Sequence, residues 1–202
     1  MLQPLYRYRT KCCSNADSWQ YALASRTLNC QFCGSVAEFA SLPHEVPPPV
    51  QDAHVPVSPG ACPVRVAFIA SNREIGFLNF AIGDELHCGV VDTEGCVTSY
   101  SPKEKRFYRE RSRTWKQSII CVPPEAQRVE GEFWDRKIHE GIRNGPVGPQ
   151  FDCLDFVVSV LNLTLGTDAF SREKLSELMC RQLYHVLKYS ELQRLAIRNK
   201  MI

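Results

Sequence analysis

The sequence has no long hydrophobic run, no N-terminal signal pattern and almost no net charge, and each absence excludes a class of protein. A transmembrane helix needs roughly 18 or more predominantly apolar residues in a row, and no stretch approaches that length. The N-terminal sequence MLQPLYRYRTKCC lacks the apolar core and the small-residue cleavage site of a secretory signal. The formal net charge of +2 favours neither an anionic nor a cationic partner. We therefore expect neither a membrane span nor secretion.

Cysteine, in contrast, is abundant, with ten residues in a chain of 202. Disulfides persist mainly in oxidising compartments, so without a secretory signal these cysteines are expected to be reduced. Reduced cysteines fill cores, bind metal ions or act as nucleophiles. We predict a cytoplasmic or nuclear protein, and its 44% hydrophobic content is enough for an ordinary buried core.

Prolines divide the chain, because seven of the thirteen lie in residues 42–63. Proline lacks a backbone N–H and restricts φ, so this stretch is expected to be an extended linker outside any sheet. The predicted organisation is a Cys-rich segment at residues 1–40, a Pro-rich linker at 41–62 and an α+β domain at 63–202.

Hydrophobic periodicity in the last of these segments predicts strands first and helices afterwards. The second and third strands are joined by the turn sequence DTEG, which is typical of a hairpin. Four strands are predicted, at residues 64–70, 86–91, 96–100 and 118–122. The predicted helices are one that ends near Asn144, a buried one within residues 152–166, one capped by Ser171, and a short one from about residue 190.

The N-terminal cysteines indicate a structural zinc site. Cys30 and Cys33 form the motif CQFC, whose two-residue spacing lets both sulfurs face one ion. A segment this short has little core of its own, so a bound metal would stabilise its fold. Cys12 and Cys13 are the predicted third and fourth ligands. His44 and Cys62 are reserve candidates for the same positions. The alternative is a segment without metal in which the cysteines are incidental.

A second candidate site begins with Cys153, which opens a predicted helix with Asp152 at its N-cap. A thiol in the first helical turn faces unpaired backbone N–H groups and the positive end of the helix dipole. Both favour the thiolate, which is the nucleophilic form. His87 begins a strand and is the histidine best placed to act as general base. The alternative is a core cysteine and a histidine with structural roles only.

These motifs resemble known cysteine enzymes. FDCLDFVVSVL resembles the nucleophile helix of NlpC-type cysteine peptidases, in which Cys precedes His. Here His87 comes first, and HCGVVDTEGCVTSY resembles the permuted papain-like group, which includes lecithin:retinol acyltransferase-like enzymes and desumoylating isopeptidases. The resemblance implies a permuted papain-like α+β domain, with a small antiparallel sheet packed on the Cys153 helix. It also implies that Ser99 orients the imidazole.

A second resemblance covers roughly residues 5–190. The order of CQFC, DELHCGVVDTEGCVTSYS, FWDRKIHEG and FDCLDFVVSVLN resembles the makorin-two opposite-strand protein family. This resemblance implies an organisation and a fold, not an activity.

Three functions follow as hypotheses. Leu154 and Asp155 replace the small residues that let substrate approach the thiol in NlpC-type enzymes, and Asp152 and Asp155 place negative charge beside the sulfur. The first hypothesis is therefore a non-catalytic or degenerate papain-like module that binds a protein partner. The second is a cysteine hydrolase, or an acyl- or isopeptide-cleaving enzyme, that uses Cys153 and His87.

The third hypothesis comes from KEKRFYRERSRTWK, the stretch Lys103–Lys116. It has seven basic and two acidic residues, interleaved with Phe107, Tyr108 and Trp115. Basic groups for phosphates and aromatic rings for stacking are typical of single-strand nucleic-acid surfaces. The alternative is a solvated loop or the edge of a hairpin.

Overall fold

The computed structural model describes residues 1–12, 18–23, 29–72, 76–166 and 168–200. In these residues the chain is mixed α+β, with two antiparallel sheets and three helices. It forms two compact units: unit 1 comprises Met1–Pro49, Phe77–Ala81 and His185–Ile202, and unit 2 comprises Val50–Gly76 and Ile82–Tyr184. The division into a Cys-rich segment, a linker and an α+β domain, with boundaries at residues 40 and 62, stays a prediction.

Unit 1 contains a three-stranded antiparallel sheet in the order β2–β1–β3, formed by β1 (Leu5–Tyr8), β2 (Gln20–Ala22) and β3 (His44–Val46). Strand β3 lies inside the proline-rich stretch, so the prediction that this stretch stays out of a sheet is wrong at three residues. The reason is local: His44, Glu45 and Val46 lie between prolines but are not prolines, so their N–H and C=O groups can pair with β1.

Unit 2 contains a five-stranded antiparallel sheet in the order β7–β6–β5–β4–β8. Its strands are β4 (Arg65–Ala70), β5 (Leu86–Val91), β6 (Val97–Ser101), β7 (Arg106–Glu110) and β8 (Ile119–Cys121). The four predicted strands are confirmed. Strand β7 lies at the sheet edge within the basic stretch, as the hairpin-edge alternative predicted, and a short 3-10 turn follows it at Arg113–Gln117.

The hairpin between β5 and β6 closes as its sequence predicted. Gly95 has φ of 85°, a conformation that glycine adopts easily, and its N–H donates to the Asp92 carbonyl at 3.1 Å. The Asp92 carboxylate also accepts a hydrogen bond from the Cys96 N–H at 2.7 Å. This turn fixes the register that pairs Gly89 with Ser99.

Alternation along the strands gives the sheet of unit 2 two different faces. One, the Trp face, carries a buried cluster that includes Ala67, Ile69 and Trp115. The other, the helix face, carries Tyr100 and Phe107, whose ring centroids lie 5.0 Å from those of Phe151 and Phe156, respectively. His87 pairs with Ile69 and Cys88 with Phe68, so the two side chains leave β5 on opposite faces.

The helices are α1 (Gly131–Asn144), α2 (Cys153–Leu165) and α3 (Arg172–Lys200). Helix α2 is buried through Phe156, Val157, Val160 and Leu161, as its nearly uniform apolar sequence predicted. Two helices were predicted for the C-terminal residues, but α3 is continuous, because no proline or glycine interrupts it. Among the described residues, no helix is long and apolar enough to cross a membrane.

Candidate thiol site and candidate metal centre

The start of helix α2 is fixed by a reciprocal capping box. The Asp152 carboxylate accepts hydrogen bonds from the N–H groups of Leu154 at 2.9 Å and Asp155 at 3.0 Å. The Asp155 carboxylate accepts one in return from the Asp152 N–H at 3.1 Å. Asp152 is therefore the N-cap, as predicted, and Cys153 is the first helical residue.

The sulfur of Cys153 lies among hydrogen-bond donors that stabilise its thiolate. The largest contribution comes from the thiol of Cys88, and burial acts in the opposite direction. The His87 ring adds a hydrogen bond and electrostatic attraction, and the backbone N–H of Cys88 adds a further hydrogen bond. Together they lower the pKa of Cys153 to about 5. The same contact, together with burial, holds the pKa of Cys88 well above its ordinary value, so Cys88 stays a neutral donor.

The pairing of β5 with β6 explains how one sulfur contacts residues on both faces of the sheet. The ladder ends at Gly89 and Ser99, although β5 begins at Leu86 and β6 continues to Ser101. His87 and Cys88 thus have partners on β4 but not on β6. This leaves the Cys88 N–H available to the Cys153 sulfur.

The His87 ring rests against a rigid neighbour. Its centroid lies 5.7 Å from that of the Trp115 ring, and Trp115 is fully buried. The Trp115 indole N–H donates to the Glu110 carboxylate at 2.9 Å, which fixes the orientation of the indole. Ser99, the predicted orienting residue, is buried on the same face and lines the same cleft as His87. Its role in orienting the imidazole stays a prediction.

Two aspartates flank the thiol, and a distant arginine compensates their charge. Arg172 bonds to Asp152 at 2.9 Å and to Asp155 at 2.6 Å. Burial alone would raise the pKa of Asp152, but the hydrogen bonds from Arg172 lower it below its ordinary value. The aspartates also raise the pKa of Arg172. One guanidinium therefore pairs with both carboxylates and offsets part of the negative charge that the sequence placed beside the sulfur.

An open cleft of about 910 Å³ gives access to the thiol. Cys153, His87 and Ser99 lie on its wall together with acidic and polar side chains from β5, β6 and β7. A stabilised thiolate and an imidazole thus line the same cleft. The cleft is large enough for a substituted acyl group or a short peptide segment.

Sequence reasoning placed Cys153 and His87 together but missed Cys88 and Arg172. The local signal for Cys88 was its position next to His87 in β5. That signal was weak, because side chains of neighbouring residues in a strand point to opposite faces. No local signal identified Arg172, which lies 20 residues from Asp152.

The N-terminal cysteines form a separate cluster in unit 1. The sulfurs of Cys12, Cys30 and Cys33 all lie within 4.8 Å of one another, and those of Cys12 and Cys33 are 3.5 Å apart. Three thiols at this spacing could hold a metal ion. The prediction for Cys13 lies outside the described residues.

The two reserve ligands are not part of this cluster. His44 lies in β3, where it pairs with Arg7. Cys62 belongs to unit 2, where its thiol donates to the Ala126 carbonyl at 3.2 Å. Within the part of the chain that the structure describes, the cluster therefore consists of three cysteines.

The CQFC motif adopts a tight turn that directs backbone N–H groups at a sulfur. The Gly34 N–H donates to the Cys30 carbonyl at 2.8 Å, and Gly34 has φ of 73°. Burial would raise the pKa of Cys30, but the Thr10 hydroxyl and the N–H groups of Cys33 and Phe32 lower it to about 5. A thiolate prepared in this way is the form that binds a metal ion.

The basic stretch offers few aromatic rings to a nucleic acid. Trp115 is fully buried, and the Phe107 ring lies 5.0 Å from the Phe156 ring. Arg109 forms an ion pair with Asp92 at 2.7 Å. Of the three aromatic rings that suggested base stacking, Trp115 thus belongs to the core and Phe107 is partly buried.

A scan of family models finds none that matches this chain, and searches of curated proteins and of solved structures find no similar protein.

Proposed function

We propose that this protein is a thiol-dependent hydrolase or acyl-transfer enzyme, with Cys153 as nucleophile and His87 as general acid and base. The observation that carries the proposal is one sulfur, at the start of a helix and on the wall of an open cleft, in contact with an imidazole and two donors of Cys88. The ion pairs of Arg172 weaken the charge argument that favoured a non-catalytic module. The second of the three hypotheses is therefore preferred.

The chemistry follows from these positions. The Cys153 thiolate attacks a carbonyl carbon, and the carbonyl oxygen takes up the negative charge near the positive end of the α2 dipole. As the tetrahedral intermediate collapses, His87 gives a proton to the leaving group and a thioester remains on Cys153. Water or another nucleophile then loses a proton to His87, attacks the thioester and releases the thiolate.

We also propose that unit 2 is a permuted papain-like domain. The support is the order of its parts: His87 begins β5, a glycine turn leads into β6, and Cys153 later begins a helix that contacts both strands. The same order supports the resemblance to the makorin-two opposite-strand protein family.

We propose further that the cysteine cluster of unit 1 holds one structural zinc ion. Cys12, Cys30 and Cys33 supply three close sulfurs, and Cys13, next to Cys12 in sequence, is the candidate fourth ligand. A set of four cysteines suits structural zinc better than harder cations such as magnesium, which prefer oxygen. Bound zinc would join the CQFC turn to the residues that follow β1.

The enzyme proposal is tested with activated esters and thioesters of small acyl groups. The expected results are an acyl-enzyme on Cys153 detected by mass spectrometry, and release of product over repeated turnovers. Cys153→Ala should abolish acylation, and His87→Ala should slow it by at least about 100-fold. Cys180→Ser, which removes an exposed thiol on α3, is the matched control and should behave as wild type.

The charge of the cleft wall directs the choice of acyl group. Four carboxylates, those of Glu85, Glu104, Glu110 and Asp152, lie on it, and Lys103 is the lysine among the lining residues. Part of this charge is neutralised by neighbouring side chains, but the excess remains acidic. Esters whose acyl group carries an ammonium should therefore react faster than carboxylate analogues, and the difference should shrink at high salt. If no ester is turned over and Cys153 does not react with electrophiles, the result would instead support the non-catalytic module.

A further inference from the structure

The proposed hydrolysis does not require a cysteine at position 88. The Cys88 side chain is only 2% exposed and lies on the helix face of the sheet, where α2 packs against β5 and the Cys153 thiol interacts with it. A serine or a backbone N–H could donate the same hydrogen bond. A second sulfur at this point allows a reaction that neither of those groups allows.

We propose that Cys153 and Cys88 form a reversible intramolecular disulfide when the protein meets hydrogen peroxide, with Cys153 as the attacking and Cys88 as the resolving thiol. The proposal depends on a nucleophilic Cys153 but not on hydrolysis of any acyl substrate. A chain without hydrolase activity could still carry out this reaction.

The reaction has two balanced steps. The Cys153 thiolate attacks one peroxide oxygen, so an S–O bond forms, the O–O bond breaks, and the departing hydroxide takes a proton to become water. The Cys153 sulfur has then lost two electrons to the peroxide and is a sulfenic acid. In the second step the Cys88 thiol loses its proton and attacks that sulfur, so the S–S bond forms and the S–O bond breaks. The departing hydroxide and the proton leave as water.

The surroundings favour Cys88 as the resolving thiol over Cys121 and Cys62. Cys121 is buried with its thiol directed at the Leu178 carbonyl, and Cys62 donates to Ala126. Cys153, in contrast, lines the open cleft, while Cys88 is buried and is the thiol that interacts with it. The β5–β6 ladder ends at Gly89, so no residue of β6 pairs with Cys88.

Oxidation would act as a switch on the cleft. The disulfide removes the nucleophile and the thiol donor together, and a dithiol reductant restores both. It also protects Cys153 from irreversible oxidation to the sulfinic acid.

The test treats the full-length reduced protein with hydrogen peroxide, blocks free thiols and maps the peptides by mass spectrometry. The expected product is a Cys88–Cys153 linked peptide pair that disappears on treatment with dithiothreitol. In Cys88→Ser the sulfenic acid persists, so trapping of Cys153 by dimedone should rise at least about tenfold, followed by sulfinic acid at higher peroxide. Cys180→Ser should form the same disulfide as wild type, since this exposed thiol is remote from the site in sequence and on another helix.

Two results would overturn the proposal. One is a wild-type Cys153 that accumulates as sulfenic or sulfinic acid with no linked pair. The other is a linked pair that joins Cys153 to a different cysteine. Since the readout is the linked peptide, absence of hydrolysis does not affect it, and it remains decisive in the wild-type chain if Cys88→Ser fails to fold.

Discussion

Cys88 and His87 are neighbours on one strand, yet both contact the Cys153 sulfur, which lies where the β5–β6 ladder has ended. The sulfur thus receives two side-chain contacts and a backbone N–H within one short segment. In water a thiolate is stabilised by mobile dipoles, whereas here the donors are held by a sheet and a helix. At the scale of residues, this difference is the physical basis for the proposal that Cys153 is the nucleophile.

The first residue-scale prediction concerns pH. Because the pKa of Cys153 is lowered from an ordinary value of 9.0 to about 5, its alkylation by iodoacetamide should reach half its maximal rate near pH 5. The folded pKa lies below the unfolded one, so the stability that the thiolate contributes is present at alkaline pH and is lost as pH falls through 5. Site-resolved mass spectrometry against pH measures the midpoint.

His87→Ala and Cys88→Ala should each raise this midpoint, since each removes a contact that stabilises the thiolate. Cys180→Ser should leave it in place. A wild-type midpoint near the ordinary value, above about pH 8, would show that these contacts do not stabilise the thiolate.

The second residue-scale prediction concerns Arg172. Arg172→Gln leaves the charges of Asp152 and Asp155 unpaired near the sulfur, so the alkylation midpoint of Cys153 should rise. Because these side chains are about one-third to one-half exposed, the loss of unfolding free energy should be about 1 kcal/mol or less. Urea unfolding measures the stability.

Lys174→Gln is the matched control, since Lys174 lies on the same helix and pairs with Glu125 at 2.8 Å. It should cost a similar small stability but leave the midpoint unchanged. Equal midpoint shifts in the two variants would show that Arg172 acts through general charge and not through its contacts.

At the scale of elements, the β5–β6 hairpin positions His87, and its turn is under steric constraint. A Cβ on Gly95 would lie 2.6 Å from the carbonyl carbon of His54, and Gly95 has positive φ. A Cβ on Gly83 would meet nothing within 4 Å, although Gly83 has φ of 100°. An alanine at Gly83 would thus suffer backbone strain alone, whereas an alanine at Gly95 would also collide with the His54 backbone.

Gly83→Ala should therefore lower the unfolding free energy by about 1 kcal/mol, from backbone strain alone. Gly95→Ala should lower it by at least about 1 kcal/mol more, because the His54 backbone must also move. Thermal or urea unfolding of both variants measures the difference. Equal losses would mean that the His54 segment gives way without cost and does not constrain the turn.

At the scale of the whole molecule, the cysteine cluster has few apolar contacts to hold it. The buried cluster beside it contains Tyr8 and Ala37, with Ala22 and Phe39 packed against it. If Cys12, Cys30 and Cys33 hold zinc, metal binding and folding of unit 1 form one equilibrium. The prediction is about one zinc per chain in the purified protein, and proteolytic cleavage within Met1–Pro49 after chelation.

Cys30→Ser combined with Cys33→Ser should lose the zinc, and Cys13→Ser should weaken its binding if Cys13 is the fourth ligand. Cys62→Ser, which changes a cysteine of unit 2, should retain it. Elemental analysis and limited proteolysis decide the matter. A protein without zinc, cleaved equally with and without chelator, would leave the cluster as three packed thiols.

Sequence alone was sufficient where the signal is local. The Gly95 turn, the Asp152 cap and the apolar α2 helix follow from backbone preferences and periodicity within a few residues, and each is confirmed. The CQFC knuckle likewise forms within its own turn. The pairing of His87 with Cys153 was predicted from the resemblance to the permuted papain-like group, in which His precedes Cys.

Tertiary structure alone decided the features that join distant parts of the chain. The Arg172 pairs, the contact between Cys88 and Cys153 and the complete burial of Trp115 have no local sequence signature, because each depends on how a strand, a helix and a turn are packed. The aspartates beside Cys153 in the sequence suggested an electrostatic field that disfavours the thiolate. The effect of a charge depends on its distances to all other charges, and only the fold determines those distances. The sequence therefore located the thiol, and the packing determined its chemistry.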